Sequence, residues 1–252
     1  MKISATIITL NEERNILRCI RSLKDVVDEI IVLDAFSTDQ TKAICEAENV
    51  RFEQRKWEGY AASKNYLNSL ARFDYIFSID ADEALDATLK ASVLAVKEQQ
   101  EPRIYSVNRI TNYCGKWIKH GGWYPDVKIR LFPKDGCYWE GAHVHETLVF
   151  PEESEILQLS GHLEHYSYYS YEGHRERADK YSALTAQKMY EKGKSANLLK
   201  PYLSAIGRFV GMYFIKGGLL DGKMGFKIAQ ISAQSNVFKY KELRRLQREK
   251  KS

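Results

Sequence analysis

Up to Asp80 the chain alternates between two hydrophobic spacings. Ile3 to Leu10, Glu29-Ile-Ile-Val-Leu33 and Tyr75 to Ile79 are short apolar runs rich in β-branched or aromatic residues, and Val50 to Gln54 is a briefer one. Runs of that length and composition predict buried strands. Between them, Ile16, Cys19, Ile20 and Leu23 recur at helical spacing with Asn11 as candidate cap. A second helix starts at Ser37-Thr38-Asp39 with Ala43, Ile44 and Ala47 on one face, and Tyr60 to Ala71 is a third. A βαβαβαβ order predicts an α/β fold with a mixed, mostly parallel sheet flanked by helices. In such sheets ligands bind at the carboxyl ends of the strands. Thr9-Leu10-Asn11-Glu12, Asp34 and Asp80-Ala81-Asp82 each end a predicted strand, so the three polar clusters are expected on one rim.

Beyond Gln100 the pattern changes. Ile104 to Arg109 and Val127 to Phe132 predict two more strands, joined by the Gly- and aromatic-rich YCGKWIKHGGWYPD. YWEGAHVHETLVF follows, with His143, His145 and Glu146 in or beside a strand, and LSGHLEHYSY carries His162 and His165. Glu172 to Gly193 reads as a helix, the stretch to Lys241 as helical or interfacial, and the tail KELRRLQREKKS as charged and frayed. The expected division is an α/β domain over 1–170 and a helical, basic extension over 171–252.

Charge sharpens that division. The net charge is +5, yet the last 61 residues hold 14 Lys and Arg against 3 Asp and Glu, leaving the rest of the chain at −6. A basic quarter on an acidic body suits an anionic surface. Its apolar run Phe209 to Ile215 is too short to cross a bilayer and suits an in-plane, interfacial segment. The acidic body disfavours a groove that tracks nucleic-acid phosphates, so nucleic acid is not an expected partner. Four widely spaced cysteines without a CxxC pair read as free thiols in a reducing compartment. MKISATIITLNEE has the flanks of a first strand, not of a signal peptide.

Asp80-Ala81-Asp82-Glu83 concentrates three carboxylates at the end of a buried strand. One reading is an acidic helix start, favoured by the helix dipole. The other is a site for a hard divalent cation, which binds carboxylates and bridges them to substrate phosphates.

TIITLNEE, EIIVLDAFSTDQT and SIDADE, in that order, resemble glycosyltransferase family 2, with the GT-A nucleotide-sugar fold, over roughly residues 3 to 170. The later GGWYPDVKIRLF, VHE and HYSY are similar to a bacterial subgroup that includes lipopolysaccharide core glucosyltransferases. The resemblance implies that Thr9, Asn11 and Glu12 line the nucleotide pocket, that Asp34 accepts a hydrogen bond from uracil, and that Lys64 approaches the diphosphate. It implies Mn²⁺ or Mg²⁺ held by Asp82, with Asp80 on ribose or metal and His165, or else His162, as a further ligand. Glu146 stands where the family carries a Glu-Asp pair, here His145-Glu146, and is the candidate general base, with Asp126 as the alternative. Arg130 either holds a phosphate or is a salt-bridged strand residue.

The processive QxxRW signature is absent, so transfer of a single sugar is expected, from a nucleotide sugar (UDP-linked) to a glycan or lipid-linked glycan. The expected location is the cytoplasm, at the inner face of the cytoplasmic membrane. The competing reading is a non-catalytic membrane- or nucleic-acid-binding protein that works through the basic C-terminal region.

Overall fold

The computed structural model describes residues 1–99, 103–141 and 146–249. In chain order it contains β1 (Ile3–Thr9), α1 (Ile16–Leu23), β2 (Glu29–Asp34), α2 (Thr41–Ala47), β3 (Arg51–Gln54), α3 (Tyr60–Ser69), β4 (Tyr75–Asp80), β5 (Glu83–Leu85) and α4 (Ala87–Lys97). There follow β6 (Ile104–Tyr113), β7 (Lys116–Ile118), β8 (Asp126–Pro133), β9 (Tyr138–Glu140), β10 (Thr147–Val149), β11 (Ile156–Tyr168), α5 (Tyr171–Glu191), α6 (Lys200–Val210) and α7 (Gly222–Glu249). The chain divides into two compact units, Met1–Arg109 with Asp126–Tyr166, and Ile110–Pro125 with Ser167–Ser252. The second break lies close to the one expected at residue 170, but segment 110–125 joins the C-terminal helices, a long-range association that a linear reading does not contain.

The first unit is built on a mixed sheet ordered β3-β2-β1-β4-β8-β6-β11-β5. β3, β2, β1 and β4 run parallel, while β8 pairs antiparallel with both β4 and β6, and β11 antiparallel with β5. All seven residues of β1 are buried, as befits a strand covered on both faces. Side chains alternate across a strand, so Ile3, Ala5 and Ile7 face one layer and Ile8 the other. The first layer packs on Ile16, Ile20 and Leu23 of α1 and on Leu89 and Val93 of α4. The second packs on Leu67 of α3 with Phe132 and Trp139.

Local details depart from the periodicity reading for identifiable reasons. Asn11 does not cap α1, because its backbone is left-handed (φ 54°) and its side chain accepts from the Thr38 N–H at 2.8 Å. Ser37, Thr38 and Asp39 form a loop ahead of α2 instead of its first turn, and Asp39 accepts from the Thr41 N–H at 3.0 Å. The helix after the acidic turn begins later than the carboxylates imply. Asp86 caps α4 by accepting from Leu89 N–H at 2.7 Å, while Glu83 enters β5. The tail does not fray at Lys241: α7 continues to Glu249, where Arg245 pairs with Glu242 and Glu249.

In the second unit a core of Tyr113, Ile118, Met212, Ile228 and Ala229 joins the β7 hairpin to the helices. Buried Asp221 accepts from His120 N–H at 2.9 Å and Lys119 N–H at 3.3 Å, fixing the hairpin to the turn before α7. Gly225 is required there, since a Cβ would lie 1.9 Å from the Gly218 carbonyl oxygen.

Candidate active site

The site forms where β4 ends. Ile8 of β1 pairs with Asp80, and Thr9 pairs with Asp34 of β2, so parallel register brings the ends of β1, β2 and β4 to one rim of the sheet. β5 and β11 then close the acidic turn. His165 pairs with Glu83, and the Tyr166 N–H donates to the Asp82 carbonyl at 2.8 Å, which carries the ladder back past the turn. That register sets His165 Nε2 at 3.2 Å from Asp82 Oδ2. His162 lies instead against Asp86 at 3.2 Å and is not part of this pair. The guanidinium of Arg18 stacks on Tyr166, 3.7 Å from its ring centre.

Asp82 and His165 offer one carboxylate and one imidazole side by side, both partly open at 21% and 15% side-chain exposure. Oxygen and imidazole donors suit Mn²⁺ or Mg²⁺. Among the described residues no cluster of three or more His, Cys, Asp or Glu could enclose an ion. A cation held by these two donors would take its other ligands from substrate phosphate and water, as Mg²⁺ commonly does.

Asp80 occupies a different environment. Its carboxylate accepts from Arg130 at 2.9 Å and faces Lys64 Nζ at 3.4 Å. Burial by itself would raise its pKa, but Arg130 and then Lys64 outweigh it and hold the group well below the usual carboxylate range. Arg130, expected either on a phosphate or in a strand salt bridge, makes salt bridges here. It is 3% exposed, and the same nitrogen that meets Asp80 lies 2.5 and 2.7 Å from the two oxygens of Glu83. Glu83 also meets Arg109 at 3.1 Å and accepts from the Asp80 N–H at 3.1 Å. Arg109 in turn grips Asp126 at 2.7 Å, with Lys128 on the far side at 3.0 Å. Glu83 is thus the hinge of an alternating charge chain from Asp80 to Asp126. Sequence reasoning passed over it, although the third carboxylate of the acidic turn was its signal.

The two candidate bases differ. Burial would raise the pKa of Asp126, but Arg109 and Lys128 more than offset it and leave the group lowered. A carboxylate so held is a weak proton acceptor. Glu146 accepts from Lys64 at 3.0 Å and lies in a pocket of about 510 Å³ lined also by Asp80, Arg130 and Trp139. Lys64 Nζ sits 4.6 Å from the Trp139 ring centre, so one buried ammonium contacts an aromatic face and two carboxylates. Arg130 Nε and Trp139 Nε1 are buried without a hydrogen-bond partner. His143 and His145 lie outside the described residues.

The rim expected to hold the nucleotide is only partly open. Asp34 is fully buried, accepting from the Ser37 N–H at 2.9 Å, the Ser37 hydroxyl at 2.5 Å and Gln54 Nε2 at 2.9 Å. The expected direct hydrogen bond to uracil therefore needs a carboxylate this conformation does not present. What Asp34 does here is shape the loop after β2. Glu12 is half-buried, accepting from Asn15 Nδ2 at 2.8 Å, while its N–H donates to Thr41 Oγ1 at 2.9 Å. Thr9 Oγ1 is buried without a hydrogen-bond partner. Asn11 is exposed at the same rim.

A parallel half-sheet whose strand ends gather an acidic turn, an Asp–His pair and a cation-lined pocket is the arrangement that the resemblance to a GT-A glycosyltransferase implies. Comparison with known proteins agrees. The family model "Glycosyl transferase family 2" matches residues 4–145. An uncharacterized glycosyltransferase of Rickettsia typhi is 30% identical over 97% of this chain and 87% of its own length. The lipopolysaccharide core biosynthesis glycosyltransferase LpsC of Rhizobium meliloti is 29% identical over 92% of this chain and 88% of its own. Among solved structures, glucosyl-3-phosphoglycerate synthase from Mycobacterium tuberculosis, in complex with Mn²⁺, uridine diphosphate and glucosyl-3-phosphoglycerate, is 25% identical. It covers 44% of each chain with a TM-score of 0.37. The chain belongs to glycosyltransferase family 2. The competing reading of a non-catalytic binding protein gives way to that membership.

Proposed function

We propose that this enzyme transfers a single sugar, with inversion, from a UDP-sugar to a glycan or lipid-linked glycan acceptor at the cytoplasmic face of the membrane. The observation that carries the proposal is the convergence of Lys64, Asp80 and Glu146 on one pocket, with Asp82 of the acidic turn paired to His165 of β11. The name of the Rhizobium meliloti relative supports lipopolysaccharide core as the acceptor class. The basic, aromatic C-terminal quarter supports the membrane location.

Asp82 and His165 would hold Mn²⁺ or Mg²⁺. When bound, the cation would neutralise charge on the departing diphosphate as a Lewis acid. Lys64 adds a fixed positive charge on the pocket side of Asp80, where leaving-group charge develops. Asp80, kept ionised by Arg130 and Lys64, orients rather than transfers protons. Glu146 takes the proton of the acceptor hydroxyl as its oxygen bonds to the anomeric carbon. The bond from that carbon to the diphosphate oxygen breaks on the opposite face, and its electron pair leaves with the diphosphate. Trp139 offers an aromatic wall and a spare N–H to the sugar ring.

The test is Glu146→Gln. It keeps shape and hydrogen bonding but removes the base. UDP binding should stay within about twofold, while transfer falls by about 10² to 10⁴, the usual worth of general-base catalysis. Transfer at the wild-type rate would remove Glu146 from the mechanism.

A further inference from the structure

We infer that the outward face of α6, with the turns that follow it, docks on an anionic lipid bilayer and lies in the interface without crossing it. The inference deepens the membrane location proposed above. It rests on the surface of the second unit and not on the donor chemistry.

α6 is apolar on two sides. Pro201 and Ala205 are buried, and folding accounts for that side. Leu199, Leu203, Ile206 and Val210 follow i, i+4, i+7 and i+11 on the other side, and Phe214 continues the row. That row faces water: Leu203 is 64% exposed and Ile206 61%. Single exposed leucines need no explanation, but a contiguous apolar row marks an interaction surface. At about 1.5 Å per residue it runs roughly 20 Å. Ile215, 80% exposed, and Leu220, 65% exposed, extend it into the break before α7.

Charge identifies the occupant. From Lys192 to Lys241 the chain has nine Lys and Arg and one acidic residue, Asp221. Asp221 is buried and engaged by the backbone of Lys119 and His120, so it does not offset them at the surface. Arg208, Lys216 and Lys223 are exposed in the same stretch of chain, Lys216 directly after Ile215. The partner must offer both an apolar layer and negative charge, as the headgroup and acyl boundary of an anionic bilayer does. A second copy of this surface would set like charges against each other. Nucleic acid would satisfy the cations but leave the Leu and Ile row in water. No single described helix is long and apolar enough to cross a membrane; 200–215 and 218–249 reach that length and composition only as a pair bent by 71°.

The experiment sediments the full chain with vesicles of phosphatidylcholine alone or mixed with phosphatidylglycerol, at low and high salt. UDP binding is measured on the same samples. The wild type should partition onto the mixed vesicles, and raised salt or removal of the anionic lipid should weaken it. Leu203→Glu with Ile206→Glu should lower the partition by about tenfold or more while UDP binding is unchanged. Leu203→Ala with Ile206→Ala should lower it less and guards against a folding defect. Lys216→Gln with Lys223→Gln should flatten the salt dependence. Equal partition of wild type and the double Glu variant overturns the inference. So does a wild type that ignores both vesicles but forms a dimer that the double Glu variant dissolves. Vesicle binding without UDP binding would strike the glycosyltransferase mechanism and leave this surface standing.

Discussion

His165 Nε2 lies 3.2 Å from Asp82 Oδ2, although 82 residues of chain separate them. The pairing of β11 with β5 holds that distance, so the two donors are set before any ligand arrives. As the proposed cation ligands, two groups already in place would bind without an ordering penalty, and each should matter.

Asp82→Ala should therefore abolish Mn²⁺-dependent UDP binding in calorimetric titration. His165→Ala should weaken it by about tenfold or more, within the range seen when a metal site loses a supporting group. If His165→Ala binds Mn²⁺ and UDP as the wild type does, the imidazole is only a hydrogen-bond partner of Asp82.

Glu83 is fully buried between Arg130 and Arg109. Removing its charge leaves two guanidinium groups facing each other without their shared partner. Breaking such a buried pair costs about 3–5 kcal/mol. Glu83→Gln should unfold at markedly lower denaturant than the wild type, and Asp80 should lose its orientation with it. A change below about 1 kcal/mol in a urea titration would mean that the charge chain relaxes around the amide.

The depressed pKa values of Asp80 and Asp126 contribute to the acid side of the stability curve. Each folded value lies below the unfolded one, near 3.9. The unfolded chain therefore takes up protons first as pH falls, and the stabilisation present near neutrality is lost from about pH 5 downward. Asp80→Asn should make stability less dependent on pH between about 5 and 3, measured as urea midpoints at each pH. An unchanged slope would remove Asp80 from the acid response.

Gly161 (φ 95°) passes close to the capped start of α4. A Cβ there would lie 2.2 Å from Leu89 N and 2.7 Å from Asp86 Oδ1. Neither the helix backbone nor its cap can yield cheaply. Gly161→Ala should lower the melting temperature by several degrees, consistent with a penalty of about 2 kcal/mol or more for strain at a left-handed position in a closed site. A melting curve like that of the wild type would show that β11 can shift away from α4.

Sequence periodicity identifies β1, β2, β3 and β4 to within a residue or two at most ends, because a buried strand writes itself as a short apolar run. It missed β5 and α4 because Asp80-Ala81-Asp82-Glu83 looks alike as a cation site and as a helix start, and only β11 pulls Glu83 into a strand. Asp34 shows the same limit: its type and place at a strand end are legible, but its closure by Ser37 and Gln54 is not.

The amino-acid sequence by itself determined the alternation of strands and helices, the gathering of polar clusters at strand ends, the family, and the basic, apolar character of the C-terminal quarter. These follow from local composition and short-range spacing. Tertiary structure alone decided which carboxylate meets a cation and which meets a histidine. It made Glu83 the hinge between Arg130 and Arg109, set Lys64 between Asp80 and Glu146, joined segment 110–125 to the helical unit, and turned the apolar row of α6 outward. Those outcomes depend on strand order and register between residues far apart in the chain, and hydrophobic periodicity carries no record of which strands become neighbours.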